Sequence, residues 1–117
     1  MATNVKYDFV KHGYAMANMV VDEEHWAVIG QVNKDVWRVA YGEPPHLTEA
    51  EIRARQPAKY EQLLPGPRPL KYELISCNPY WAHQRTAAKY REGRVVLCGD
   101  AAHVLIGPLC APLMIVE

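Results

Sequence analysis

Arg94 to Cys98, centred on Val95, Val96 and Leu97, is a continuous apolar and β-branched run between Gly93 and Gly99-Asp100. Such a run is typical of a strand buried on both faces, which needs neighbouring strands beside it and covering layers above and below. The residues before it have a different pattern, antiparallel in character with one face buried. A chain of 117 residues has room for one domain and not two. The switch near residue 94 therefore sets the expected organisation. Residues 1–90 form part of a β-sheet domain, and residues 91–117 are a fragment of an α/β domain whose other strands lie outside this chain. The expected fold class is α+β, an antiparallel sheet with short helices on one side followed by the α/β fragment.

The first unit is read from its periodicity. Ala15 to Val21, His25 to Val32 and Val36 to Tyr41 are three candidate strands joined by the polar turns Asp22-Glu23-Glu24 and Asn33-Lys34-Asp35. In the third strand Val36, Arg38 and Ala40 share one face, and Trp37, Val39 and Tyr41 share the other. Thr48 with Glu51 three residues on is a capping box and predicts a helix from about Glu49 to Arg55. Pro57 ends that helix or opens a second one over Ala58 to Leu64, because proline is tolerated at a first helical position. Pro65-Gly66-Pro67-Arg68-Pro69 is a stiff connector. Leu70 to Cys77 returns to strand, Trp81 to Tyr90 is read as strand, and a helix is expected from Ala101-Ala102-His103.

Composition narrows the function. Thirteen basic and thirteen acidic side chains cancel, so nucleic-acid binding has no electrostatic support. A polybasic membrane patch is equally unsupported. The N-terminus lacks a signal-peptide core. The apolar stretch from Val104 to Val116 is interrupted by Gly107, Pro108 and Pro112 and falls short of the about 20 residues that a spanning helix needs. A cytoplasmic chain is expected. Cys77, Cys98 and Cys110 are odd in number and contain no CxxC pair, so they are expected to be small buried side chains in a reducing compartment. No metal is expected. Asp22-Glu23-Glu24-His25 are adjacent on a turn and fit no standard site.

The segment with chemistry in it is GRVVLCGDAAH, Gly93 to His103. It reads as strand, tight turn and helix start. Asp100 stands at the C-terminal end of a strand, where open α/β sheets bind ligands. Its carboxylate is able to accept hydrogen bonds from sugar hydroxyls, and the amides after it are able to face a phosphate. Asp100 as a simple helix N-cap is the competing reading. No catalytic residue is assigned. Trp37 and Tyr41, on one strand face, are either core or contacts for an aromatic ligand. His83 and Arg85 either line the substrate side of the sheet or serve the surface.

The longer match resembles the flavin-contacting GD motif of the FAD-dependent aromatic monooxygenases of the para-hydroxybenzoate hydroxylase-like family. His25-Trp26-Ala27-Val28, Trp37 to Glu43 and Pro79 to Arg85 look like stretches of the fungal branch of that family, in similar order. The resemblance implies an FAD-binding fragment in which Gly99, Asp100 and Ala101 contact the cofactor, with Asp100 on its ribityl or ribose part. It implies that Pro108 lies near the isoalloxazine ring, and that His103 belongs to the packing of the motif. The sheet is expected to cover a phenolic or polyketide-type substrate of secondary metabolism. The implied chemistry is reduction of FAD by NAD(P)H, reaction with O2 and oxygen transfer to an activated aromatic ring. The GxGxxG turn and the middle DG motif of the family are absent, and Ile106 to Pro112 lacks the glycines expected after the GD motif. The chain is therefore expected to be too incomplete to hydroxylate alone, and to bind FAD weakly or not at all by itself. Its partner would be a second copy or a chain supplying the missing half. The rival readings are a non-catalytic remnant or partner-docking half of a split flavoprotein, and a small cofactor-free enzyme.

Overall fold

The structure, a computed structural model, describes residues 1–80 and 85–104. The chain divides into two compact units, Met1–Tyr80 and Trp81–Glu117.

The first unit is a five-stranded antiparallel sheet carrying one helix. Its strands are β1 (Ala2–Lys6), β2 (Ala17–Val20), β3 (Ala27–Gln31), β4 (Val36–Tyr41) and β5 (Glu73–Asn78), in the order β2-β3-β4-β1-β5. The expected three-stranded meander is present as β2, β3 and β4, and the two faces of β4 divide as its alternation requires. Trp37, Val39 and Tyr41 are buried, while Arg38 is exposed. β1 is a strand that the sequence reading left out. It inserts between β4 and β5, with Thr3 opposite Val39 and Val5 opposite Trp37. The β1–β5 ladder shifts register between Asn4 and Val5, which leaves Ile75 as an extra residue on β5.

Helix α1 runs unbroken from Glu49 to Leu63 with Pro57 inside it. The expected pair of short helices is thus corrected to one. The capping box is formed: the Glu51 N–H donates to Thr48 Oγ1 at 3.3 Å, and the Thr48 N–H donates to Glu51 Oε2 at 2.8 Å. Ile52, Gln56, Tyr60 and Leu63 are buried at helical spacing. Tertiary packing of this stripe outweighs the break that Pro57 favours. Tyr60 reaches the sheet, where its hydroxyl lies 2.6 Å from Thr3 Oγ1, which also donates to the Val39 carbonyl at 2.9 Å. Tyr41, Tyr60 and Tyr72 form an aromatic chain beside this contact, with ring centroids 6.4 and 4.8 Å apart. Burial pushes the phenols of Tyr41 and Tyr60 up, so both stay protonated.

The second unit departs most from expectation. Residues 94–98 do not form a buried strand. Val95–Val96 (β8) pairs with Arg91–Glu92 (β7) in a hairpin, and Val95 and Val96 are exposed to 70% and 57%. The described residues supply no further strand for this segment, and a β-branched run without neighbours stays at the surface. Trp81 to Tyr90 keeps strand only at Arg85–Thr86 (β6), which pairs with His103–Val104 (β9). Residues 81–84 lie outside the described residues. The helix expected from Ala101 is instead a 3-10 turn over Gly99–Ala101 followed by β9. The Ala87 N–H to Ala102 carbonyl bond, at 2.8 Å, extends the β6–β9 pairing and draws the chain back to strand.

Candidate functional site

The GD segment keeps its turn. Gly99 has a φ of 58°, in the left-handed region where a β-carbon is strained, and open space surrounds the position that such a carbon would take. The Ala102 N–H closes the 3-10 turn on the Gly99 carbonyl at 2.8 Å. Asp100 and Ala101 are exposed and Ala102 is buried, so the small side chains divide between anchoring the turn and clearing its outer side. Cys98 rather than Asp100 occupies the N-cap position, and no side chain caps this turn. That separates the two readings of Asp100: its carboxylate is not used as a cap. Among the described residues its carboxylate has no hydrogen-bond partner, and a carboxylate accepts hydrogen bonds from hydroxyl groups. The turn is a single 3-10 turn and offers no helix N-terminus for a phosphate.

Gly99, Asp100 and Ala101 thus stand together in one turn, whereas Pro108 lies outside the described residues. His103 is on β9, not on a helix, and its Nδ1 is buried without a hydrogen-bond partner among the described residues. His83 and Cys110 also lie outside the described residues. Cys77 is half-buried and Cys98 is exposed, both as free thiols, so the expectation that each would be buried is corrected for Cys98. Among the described residues no cluster of three metal-ligating side chains occurs and no helix is long and apolar enough to cross a membrane. Asp22 Oδ1 accepts the N–H groups of Glu24 at 2.9 Å and His25 at 2.8 Å, which holds its carboxyl below the usual range. It is committed to its own turn.

The sheet of the first unit contributes a second element. Trp37 packs on the Phe9 ring, with centroids 5.0 Å apart, and Tyr41 on the Tyr60 ring of α1, 6.4 Å apart, and each is 2% exposed, which resolves their two readings in favour of core. The opposite face bears no helix among the described residues. Across it, in register, run Ala17, Gly30, Arg38, Asn4 and Ser76. Sequence reasoning placed Arg38 on this face but gave it no role, because the pattern of one strand does not show which side chains stand beside it. A cleft of about 580 Å³ lies between α1 and the ends of β3 and β4. Its buried carboxylate, Glu43, is paired to Arg55 at 3.0 Å. A β-carbon at Gly42 would sit 2.8 Å from the Trp26 ring, so a side chain there has to displace that ring.

The first unit is thus an open antiparallel sheet backed by one α-helix, and the second carries a Gly-Asp-Ala turn. The family described as an FAD binding domain matches residues 4–108, and this chain belongs to it. Over 105 residues it is 54% identical to para-nitrophenol 4-monooxygenase of Pseudomonas sp. (strain WBC-3), covering 88% of this chain and 26% of that protein. It is 42% identical over 105 residues to 6-hydroxy-3-succinoylpyridine 3-monooxygenase HspB of Pseudomonas putida (strain DSM 28022 / S16), covering 89% and 26%. The crystal structure of p-nitrophenol 4-monooxygenase PnpA from Pseudomonas putida DLL-E4 superimposes with a TM-score of 0.80 at 54% identity, covering 88% of this chain and 27% of that one. The chain spans about a quarter of the length of the curated relatives it matches. These three relatives come from Pseudomonas.

Proposed function

We propose that this chain is the substrate-sheet and GD portion of an FAD-dependent monooxygenase acting on a phenolic small molecule. The observation that carries the reading is the Gly99–Asp100–Ala101 turn, with a left-handed glycine, a carboxylate without a partner among the described residues and a small side chain, in a chain of the FAD binding domain family. The relatives are named for a nitrophenol and a hydroxypyridine, both planar rings bearing oxygen. Bound FAD would supply the redox chemistry, with NAD(P)H as reductant and O2 as oxygen donor. The role of this chain is to hold the cofactor's sugar portion through Asp100 and to present a flat surface to the ring. In the same reading Pro108 stands near the flavin ring, and the cytoplasm is the compartment.

A second reading, a half that docks onto a partner or a second copy, is favoured by one observation. Val95, Val96, Leu97 and Val104, which flank the GD turn in sequence, are exposed apolar side chains. The test for the first reading is the visible spectrum of the purified chain after incubation with FAD and desalting. Retained flavin absorbance, lost in Asp100→Ala, supports it. Flavin content unchanged in Asp100→Ala removes the role given to Asp100.

A further inference from the structure

Strand β2 is an outer strand of the five-stranded sheet. Outer strands are ordinarily blunted by charge, proline or an irregular backbone, and β2 has none of these. Its ladder with β3 runs without a register shift, and Ala15 to Val21 contains neither a charged residue nor a proline. Which of its backbone groups face outward follows from one contact. The Gln31 N–H donates to the Met16 carbonyl at 2.8 Å. Antiparallel ladders alternate, so Met16, Asn18 and Val20 bond to β3, while the N–H and C=O groups of Ala15, Ala17, Met19 and Val21 point away from it. Those of Ala15 are satisfied by a single side chain. Asn18 Oδ1 accepts its N–H at 2.9 Å, and Asn18 Nδ2 donates to its carbonyl at 2.6 Å. At the other end Asp22 Oδ1 closes its own turn. Between these two fixed ends Ala17, Met19 and Val21 present a row of outward backbone groups, and the side chains of Met19 and Val21 are 44% and 84% exposed.

This row is complementary to itself. A two-fold axis at Met19 sets the Met19 residues of two copies opposite each other, and Ala17 of each opposite Val21 of the other. Every pair then exchanges both backbone hydrogen bonds, brings apolar side chains together on one face and opposes no like charges. An axis at Ala17 would need the backbone groups of Ala15, which Asn18 already holds. An axis at Val21 would set Met19 against Glu23, in the turn that Asp22 closes. The antiparallel arrangement also directs the acidic Asp22-Glu23-Glu24 of one copy toward the end of the strand that follows Lys11-His12 in the other. We infer that β2 is a docking edge whose occupant is β2 of a second copy, joined antiparallel about Met19 into a closed two-fold dimer. The inference goes beyond the proposed function, since it needs neither flavin nor Asp100.

The test is analytical ultracentrifugation of the 117-residue chain through the micromolar and millimolar range, with backbone amide exchange on the same samples. The expected result is a monomer–dimer equilibrium in which the Met19 amide exchanges freely at the dilute end and is protected at the concentrated end. The Asn18 and Val20 amides, bonded to β3, are protected throughout. Met19→Lys and Met19→Glu set like charges across the axis and each weaken the dimer about fivefold or more, and an equimolar mixture of the two variants regains it. The double variant Val95→Ser, Val96→Ser dimerises like the parent. A chain that stays monomeric through the range, growth beyond two copies, or a dimer whose Met19 amide is unprotected would overturn the inference. So would a mixture of the Lys and Glu variants that associates no better than either alone. Loss of the dimer in the Val95→Ser, Val96→Ser variant would overturn it too and move the association to the second unit.

Discussion

Replacing Pro57 with alanine should stabilise the first unit. Pro57 sits in the ninth position of α1 and is exposed, so no core contact depends on its ring. It provides no N–H for the Arg53 carbonyl, and its ring crowds that carbonyl. Proline in a helix interior is disfavoured by about 3 kcal/mol relative to alanine. Part of this is offset because proline also restricts the unfolded chain, by about 0.4–1 kcal/mol. The net gain is about 2 kcal/mol, which for a unit of this size raises the melting temperature by about 8–16 °C. Thermal melting followed by circular dichroism at helical wavelengths is the assay. An unchanged or lowered melting temperature would refute the reasoning and mean that the backbone geometry Pro57 imposes is needed for the Ile52–Tyr60 stripe to meet the sheet.

Tyr60→Phe should lower stability by about 1 kcal/mol, since Thr3 loses one of its two partners but keeps the Val39 carbonyl; denaturant unfolding measures this. Gly42→Ala should cost about 1–3 kcal/mol by forcing the Trp26 ring aside, with a shifted tryptophan emission in the folded state. The Thr48 contacts hold the Glu51 carboxyl below its ordinary value of 4.5. Their contribution is therefore complete above that value and lost as pH falls through the lower folded-state value; Glu51→Gln should flatten the acid limb of a stability–pH profile. Asp100→Ala should abolish flavin retention in any form of the protein that retains it, as read by absorbance after desalting.

The parts of the fold legible in the sequence are those where local pattern and tertiary demand coincide. β4 alternates cleanly because Trp37, Val39 and Tyr41 are all buried on one face of the sheet while Arg38 is exposed on the other. Thr48 and Glu51 announce a helix start because the cap is made within four residues. β1 was hidden by Thr3, a polar residue at an inward position whose hydroxyl is satisfied only by Val39 and Tyr60, far along the chain. Pro57 read as a break because the long-range packing that overrides it has no local signal. At the candidate site, Gly99 and Asp100 were legible as a turn. The pairing of Gly30 with Arg38 was not legible, since only the register of β3 against β4 sets them side by side.

The extra residue at Ile75 also affects how this chain behaves among its neighbours in solution. β5 is the last strand of the five-stranded sheet, and Leu74 and Ile75 on it are partly exposed. An apolar outer strand with a regular backbone is a template on which another molecule can add its own strand. The irregular step twists that row of amides and carbonyls out of line, so an incoming strand that pairs on one side of Ile75 is out of phase on the other. Deleting Ile75 would straighten the row, and the expected consequence is self-association through that edge, seen as concentration-dependent growth in light scattering.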